Sequence, residues 1–393
     1  MTTWLVAAPV LIALAGCTES TSDGLGAVRD SAGIRIVDLS GVPLEPRRSL
    51  AIDSSWVSFA HLEVGTLGDV DVLDDGRVVV LDHMSAAITV VRPEGSIERT
   101  FGRPGEGPGE LSPRGISTLI VTDSSVIVPD VQLQRITEFS LEGDVLATSS
   151  MADLGAAGEF VYGVDWRAHP AGGIAYRELT GDGAMILRWH RAAVDTLYVF
   201  EVAAPGPNQL LPPTPFWDVN AEGLLVIGRS DQARTELRAP ANEQPVWVVR
   251  RGEEAAEVSS EDLRHLEDLI LGSAAEKGIG ELPPAQRQHI LSSVRFPEHR
   301  PRFAAAFAAP DGRYWIQRSR PIVEMGREAL RVGIALGFGG RVWEVLDPSG
   351  RLTDLVQLPG GFSPTRFAES CIYGTYEDEL GLQAPARVCP GEP

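Results

Sequence analysis

The chain has 393 residues, of which 44% are hydrophobic and 22% charged, and its formal net charge is −20. This composition is typical of a folded globular protein and excludes a disordered tail or a multi-span membrane protein. The acidic balance argues against nucleic acid as a partner, because contacts with phosphates need a basic surface. Glycine and proline are frequent (41 and 28 residues), so many turns and few long helices are expected.

The first residues predict export and lipid attachment. Trp4–Ala15 is an apolar run that is shorter than the roughly 20 residues needed to span a bilayer, but it has the length of a signal-peptide core. The run ends in Leu14-Ala15-Gly16-Cys17, which resembles a bacterial lipobox and implies cleavage before Cys17 and lipidation of its thiol. Met1–Thr3 lacks the usual positive charge, and the alternative is a buried N-terminal strand with an incidental cysteine.

Residue 18 bears on the membrane to which the protein is sorted, and the composition after it indicates where the folded domain begins. Thr18 stands where an aspartate would imply retention at the inner membrane, so the lipobox resemblance implies the outer membrane of the bacterial envelope. The segment that follows is rich in Ser, Thr, Gly and Asp and has little to bury, which predicts a flexible tether. We divide the chain into a signal peptide (1–16), a tether (17–33) and a folded domain (34–393) with an insertion at about 252–300.

The folded domain repeats itself. Turn signals between β-rich runs recur at positions 75, 124, 172, 222, 311 and 370, and the first three steps are 49, 48 and 50 residues. The fourth step is longer by about one 40-residue insertion. Each unit also contains a second turn. The order of elements in a unit is therefore strand, turn, strand, loop, strand, turn, strand. Four antiparallel strands in about 48 residues are the signature of a β-propeller blade, and six units predict an all-β, six-bladed propeller.

The sixth unit is one strand short. We expect Ile34–Val37 to supply that strand and to close the ring, since closure removes an open sheet edge. A hairpin centred at residue 380 places Cys371 opposite Cys389, within reach of a disulfide, as an oxidising compartment permits. Two separate buried thiols are the alternative.

Several runs carry a family resemblance. The stretch at 70–111, and Gly102–Glu110 within it, resembles the NHL-type six-bladed propeller lipoproteins of bacterial envelopes, and 310–319 and 373–388 resemble their later blades. The resemblance implies the fold and little about activity, because propellers carry many functions.

The long connections predict a binding face. Gly102–Arg114, Ala204–Phe216, the insertion and Ser319–Gly340 all belong to the set of loops that shares one end of the blades, and function concentrates where a rigid scaffold presents elaborated loops. Within the insertion, Ser259-x-x-Asp262 predicts a helix start and Pro284 a second helix. These helices form either a lid or a packing element.

No catalytic motif is evident in the sequence. Asp69, Asp71, Asp74 and Asp75 lack the spacing of a calcium loop and are interpreted as a turn. The seven histidines lack zinc spacing, and no nucleophile elbow or phosphate loop occurs, so no metal and no cofactor are predicted. An axial metal site from several blades is left open, with Asp165, Asp218 and Glu369 as its acidic residues.

The mouth of the central channel is the predicted ligand site. Residues near the starts of the innermost strands would suit an anionic, sugar-like or peptide ligand. These rim candidates are Arg114, Trp166, Phe216, Trp217, His299, Arg302 and Arg366. In the alternative arrangement, the arginines pair with the three acidic residues and the tryptophans fill the channel.

The leading hypothesis is a lipid-anchored envelope propeller that binds a small ligand or an envelope protein through its loop-rich face, without catalysis. One alternative is a metal-dependent hydrolase or lyase that uses the axial channel. The other is a scaffold subunit of an envelope assembly. Bound metal favours the first alternative, and a co-purifying protein favours the second.

Overall fold

The structure is a computed structural model. It describes residues 25–43, 45–53, 66–73, 75–154, 165–180, 183–190, 193–202, 206, 208–240, 242, 244–252, 256–274, 282–327, 339–368 and 371–389. The predicted signal peptide, the predicted lipidation site Cys17, and Glu369 lie outside the described residues.

The described chain is built from short strands, numbered in chain order. Three N-terminal strands come first: β1 (Ala27–Ser31), β2 (Ile34–Asp38) and β3 (Arg48–Ser49). Sheet 1 contains β4 (Leu67–Val72), β5 (Val78–Asp82), β6 (Ala87–Val91) and β7 (Ile97–Phe101). Sheet 2 contains β8 (Ile120–Val121), β9 (Ser125–Asp130), β10 (Arg135–Ser140) and β11 (Val145–Ser150). Sheet 3 contains β12 (Trp166–Ala168), β13 (Ile174–Thr180), β14 (Gly183–His190) and β15 (Ala193–Phe200).

The second half of the chain continues the pattern. Sheet 4 contains β16 (Pro215–Val219), β17 (Leu225–Arg229), β18 (Arg234–Arg238) and β19 (Pro245–Arg250). Two helices follow, α1 (Ser260–Ala274) and α2 (Pro284–Ser292). Sheet 5 contains β20 (Phe303–Ala308), β21 (Tyr314–Ser319), β22 (Gly339–Leu346) and β23 (Leu352–Gln357). Sheet 6 contains β24 (Phe362–Ala368), β25 (Cys371–Glu377) and β26 (Gln383–Val388).

Each sheet is an antiparallel meander in which sequential strands are neighbours. In β10, Ile136 packs between sheets 2 and 3 and Phe139 packs between sheets 1 and 2, so the strand is buried on both faces. β-branched and aromatic residues of this kind favour strands. Glycines in the left-handed region, including Gly76 (φ 82°) and Gly312 (φ 82°), turn the chain between the first two strands of sheets 1 and 5. The strand order predicted for each repeat unit is therefore present in the structure.

The sheets pack face to face in sequence order. Separate apolar clusters join sheets 1 and 2, 2 and 3, 3 and 4, 4 and 5, and 5 and 6. A further cluster joins sheet 6 to sheet 1, where Tyr373 and Ala368 pack against Val70 and Val80. The first strands of neighbouring sheets also lie beside one another in most cases, for example β16 beside β20 and β24 beside β4. This arrangement of meanders is a β-propeller fold.

The N-terminal strand occupies a different place from the one that the sequence predicts. The expectation that Ile34–Val37 completes the sixth sheet is wrong, because β2 pairs in parallel with β19 at the outer edge of sheet 4. Val37 is fully buried in the cluster between sheets 4 and 5, which gives the strand an apolar site there. The predicted tether also contains structure, since β1 pairs with β2.

The N-terminal segment continues along the outer edges of the last sheets. β3 pairs in parallel with β23 of sheet 5. Beyond it, the Asp53 amide donates to the Arg387 carbonyl (2.9 Å), and the Arg387 Nε donates to the Asp53 Oδ2 (2.9 Å) at the edge of sheet 6. The same segment thus contacts three successive sheets and protects part of their edges.

The predicted disulfide is confirmed. In the β25–β26 hairpin Ile372 lies opposite Val388, so Cys371 lies opposite Cys389, and their Cα atoms are 4.2 Å apart. The two cysteines are bonded across 18 residues. The register that the sequence predicted for this hairpin is therefore correct.

The insertion after sheet 4 forms the two predicted helices. Ser259 and Asp262 cap α1 reciprocally: the Asp262 amide donates to the Ser259 Oγ (3.2 Å), and the Ser259 amide donates to the Asp262 Oδ2 (2.8 Å). Leu266 of α1 is fully buried among Leu210, Ala304 and Met325. The first helix thus packs on the sheet ends. Among the described helices, none is long and apolar enough to cross a membrane.

Candidate functional site

Carboxylates on the first strands fasten neighbouring sheets together. Asp69 on β4 accepts hydrogen bonds from the Thr118 hydroxyl (2.6 Å) and the Leu119 amide (3.1 Å), just before β8. Asp71 accepts the Val121 amide on β8 (3.1 Å). Their alternation along β4 places both carboxylates on the face that meets sheet 2. Asp69 and Asp71, which were interpreted from the sequence as part of a turn, therefore join β4 to sheet 2 through hydrogen bonds.

Sheets 4 and 5 are joined in the same way. The Ala308 amide on β20 donates to the Asp218 Oδ2 (2.8 Å), and Arg167 on β12 donates to the Asp218 Oδ1 (3.1 Å). Arg366 on β24 forms an ion pair with Asp71 (3.3 Å). We call Asp69, Asp71, Arg167, Asp218 and Arg366 the inner-strand cluster.

Burial and charge act against each other in the inner-strand cluster. Burial raises the pKa of Asp69 to about 6, although hydrogen bonds from Thr118 and Leu119 oppose the rise. Burial likewise raises the pKa of Asp71 and of Asp218, with Arg366 and Arg167 respectively as the main opposing charges. Burial disfavours the charged Arg167, but Asp218 and Asp165 outweigh it and raise its pKa. The cluster thus contains two compensated ion pairs, Asp71 with Arg366 and Asp218 with Arg167, while Asp69 is stabilised by neutral hydrogen-bond donors.

Two of the three acidic residues considered for an axial metal site form ion pairs with arginines, and the third, Glu369, is outside the described residues. Asp165 pairs with Arg177 (3.3 Å), and Asp218 pairs with Arg167. Within the described residues, no group of three or more His, Cys, Asp or Glu side chains is arranged to hold a metal ion.

The aromatic rim candidates lie in the core. Trp166 is 7% exposed and stacks on Tyr176 between sheets 2 and 3. Trp217 is 2% exposed and packs between sheets 3 and 4, and Phe216 packs between sheets 4 and 5. Their positions near strand starts made them rim candidates, but strand alternation turns them toward the adjacent sheet.

The polar rim candidates are dispersed. Arg114 and His299 are exposed on separate connections, the first before β8 and the second before β20. Arg366 belongs to the inner-strand cluster through Asp71. Arg302 is half-buried immediately before β20. The structure therefore does not bring the predicted set together as one site.

Arg302 belongs instead to a group between sheets 4 and 5. Arg251, directly after β19, forms a buried ion pair with Glu344 of β22 and donates to the Thr235 hydroxyl (3.0 Å). The Arg251 guanidinium also lies 4.5 Å from the centre of the Phe303 ring. We call Arg251, Arg302, Arg318 and Glu344 the arginine cluster.

Like charges influence one another in the arginine cluster. Burial and the nearby Arg251 lower the pKa of Arg302. Burial also lowers the pKa of Arg318, and Arg251 and Arg302 add to the effect while Glu344 opposes it. Burial and the neighbouring guanidinium groups therefore both disfavour the protonated forms of Arg302 and Arg318.

Sequence reasoning identified only Arg302 of this cluster. A signal was present: Glu344 stands alone in the apolar run Val342–Leu346, and Arg318 lies two residues after the buried Ile316. A charge inside a buried strand needs a partner of opposite sign. The partner Arg251 comes from another sheet, which one sequence does not reveal.

Comparisons with known proteins show no close relative. No protein-family model matches the chain, and no curated protein matches it. Among solved structures, it is similar to a member of the DUF4221 family from Bacteroides vulgatus, with 10% identity, 86% of this chain and 94% of that chain covered, and a TM-score of 0.47.

Two further structures are more distant. Virginiamycin B lyase from Staphylococcus aureus has 13% identity over 80% of this chain and 82% of its own, with a TM-score of 0.38. The calcium-binding protein regucalcin from Agrobacterium tumefaciens has 12% identity over 81% of this chain and 89% of its own, with a TM-score of 0.39. At these values none of the three assigns an activity to this chain.

Proposed function

We propose that this protein is a lipid-anchored, six-bladed β-propeller of the bacterial cell envelope that binds a ligand or protein partner through its loop-rich end, without catalysis. The sequential packing of sheets 1 to 6, and of sheet 6 on sheet 1, supports a closed ring. The disulfide between Cys371 and Cys389 and the lipobox-like segment support an oxidising compartment outside the cytoplasm.

The main support for binding at the loop-rich end is the position of the most exposed apolar side chains. Leu380 (83%), Leu382 (65%) and Met84 (62%) are the most exposed large hydrophobic side chains of the described chain. All three lie on connections between the second and third strands of sheets 6 and 1, which belong to the loop-rich end. Other exposed apolar side chains, such as Leu146 (55%) and Ile97 (50%), lie on the fourth strands of their sheets, whereas these three lie on loops of two adjacent sheets. Apolar side chains exposed on neighbouring loops are typical of an interaction site.

The same end holds the elaborated connections. Four long connections lie at this end, joining β7 to β8, β15 to β16, β19 to β20, and β21 to β22. The connections at the opposite end are turns of a few residues. The packing of α1 against Ile322 and Met325 gives this end an ordered surface. No observation favours the metal-dependent enzyme or the scaffold subunit over a binding module.

Site-specific photo-crosslinking tests the proposal. A photoreactive amino acid is placed at Leu380 or Met84, and in control variants at Glu222 or Asp311, which are exposed turn positions at the opposite end. In cells that make the protein, we expect discrete crosslinked products from the first pair alone. Products from the control positions alone, or from neither pair, would contradict binding through the loop-rich end.

A further inference from the structure

The outer edges of sheets 4, 5 and 6 are covered by the chain itself. β2 pairs in parallel with β19, β3 pairs in parallel with β23, and Asp53 bonds to Arg387 at the edge of sheet 6. Proteins cover or otherwise protect sheet edges because a row of unpaired amides and carbonyls is a template for pairing with another chain. The outer strands of this fold therefore accept an added strand.

The outer edges of sheets 1, 2 and 3 have no such cover among the described strands. β7, β11 and β15 each pair only with the neighbouring strand of their own sheet. β7 carries Glu98 and Arg99, and β15 carries Asp195, whose side chain is 65% exposed. Because charged side chains on an edge strand oppose pairing with a further chain, β7 and β15 are protected by charge.

The edge strand β11 has neither cover nor charge. Its sequence, Val-Leu-Ala-Thr-Ser-Ser, contains no charged residue, proline or glycine, and five of its six residues are exposed. Val145 and Leu146 are 41% and 55% exposed. The register with β10 shifts only beside Leu146, so Ala147–Ser150 pairs with β10 without a bulge. This part of β11 is a regular and unprotected edge.

The direction of the backbone identifies the groups available for pairing. The Met151 amide, directly after β11, donates to the Gln134 carbonyl (3.0 Å), so it points toward β10. In an antiparallel pair, residues that point their amide and carbonyl toward the partner strand alternate with residues that point them away. Ser149 therefore points both groups sideways toward β10 as Met151 does, and Thr148 points both groups outward. The exposed Thr148 thus presents a donor and an acceptor in the middle of the open edge.

The absence of charge makes β11 compatible with a second copy of itself. Two copies related by a two-fold axis pair in antiparallel fashion, and a charged residue near the axis would face its own equivalent at a cost in stability. β11 has no such residue. The nearest preceding carboxylate is Asp144, and pairing centred on Thr148 holds the two Asp144 residues roughly 26 Å apart. This separation exceeds the screening length of about 8–10 Å in physiological salt.

We propose that β11 joins two copies of this protein into a two-fold symmetric dimer through antiparallel pairing centred on Thr148. The Thr148 amide of each copy donates to the Thr148 carbonyl of the other, and Ala147 of each copy lies opposite Ser149 of the other. One strand pair is a small interface, so the dimer exchanges with the monomer. The interface uses none of the loop residues of the proposed binding surface, so the two proposals stand independently.

Sedimentation velocity of the purified protein tests the dimer. We expect the dimer fraction to rise with protein concentration. Thr148→Pro removes the central amide donor from both copies but keeps the bonds to β10, because this amide points outward. We expect self-association to weaken by about tenfold to a hundredfold. Thr148→Lys, which places like charges opposite each other, gives a second measurement should the proline variant fold poorly. A monomer at every concentration, or self-association as strong in both variants as in the wild type, would overturn the proposal.

Disulfide trapping tests the position of the two-fold axis. In a Cys17→Ala background the chain keeps only Cys371 and Cys389, which are bonded to each other, so an added cysteine is the single free thiol. Thr148→Cys places two thiols opposite each other with Cα atoms about 5.5 Å apart, within the range of a disulfide. The matched control is Thr196→Cys, which replaces another exposed threonine on the outer strand β15. We expect a covalent dimer from Thr148→Cys alone under mild oxidation. No covalent dimer from Thr148→Cys, or equal yields from both positions, would overturn the proposal.

Discussion

Replacement of Asp69 by asparagine should change the pH dependence of stability. In the folded protein burial raises the pKa of Asp69 from its ordinary 3.8 to about 6. A carboxyl whose pKa is raised on folding stabilises the folded state fully below its unfolded pKa, and this contribution is lost as the pH rises through the folded pKa. The contribution is therefore lost between about pH 4 and about pH 6.

The magnitude follows from proton linkage. With these two pKa values, Asp69 contributes about 2 kcal/mol more to the free energy of unfolding at about pH 4.5 than at about pH 7.5. Asparagine cannot titrate, so the variant lacks this increment, whereas Asp71, whose charge also raises the pKa of Asp69, is present in both proteins.

Urea unfolding followed by tryptophan fluorescence measures the effect. The free energy of unfolding is determined at both pH values for wild type, Asp69→Asn and the control Asp311→Asn, whose carboxylate is on an exposed turn. We expect the difference between wild type and Asp69→Asn to move by about 2 kcal/mol in favour of wild type at the lower pH. An unchanged difference, or a shift of the opposite sign, would refute the reasoning about Asp69.

Three further perturbations have defined outcomes. Replacing Cys371 and Cys389 by serine opens a loop of 18 residues and should lower the free energy of unfolding by about 3 kcal/mol in urea titrations, with added reductant lowering the wild type to the same value. In Gly228→Ala the added Cβ would lie 2.2 Å from the Phe216 ring, so calorimetry should show a loss of about 1–3 kcal/mol, and an unchanged melting temperature would contradict that packing. Cys17→Ala should move the protein from the membrane fraction to the soluble fraction in immunoblots, and continued membrane retention would argue against lipidation at Cys17.

Local features of the fold were predictable from the sequence because they depend on local signals. Turn residues such as Gly76 and Gly312, with alternating apolar residues between them, predict the four-strand units that the structure contains. The disulfide followed from counting residues on each side of one hairpin. The start of α1 followed from Ser259 and Asp262, which cap it.

Features that depend on contacts distant in sequence were not predictable. The sequence offered Ile34–Val37 as the partner of an incomplete sheet, but it contained no signal that Val37 would be buried between sheets 4 and 5. Trp166 and Trp217 begin strands as expected, but their burial depends on the sheet beside them. Likewise, only the packing of sheets 4 and 5 brings Arg302 close to Arg251, so the sequence did not group these two residues.

Site-specific photo-crosslinking in cells tests most directly whether the loop-rich end is the binding surface. We predict discrete crosslinked products from a photoreactive residue at Leu380 or Met84, and none from Glu222 or Asp311 at the opposite end. Products from Glu222 or Asp311 alone, or from none of the four positions, would contradict the proposal.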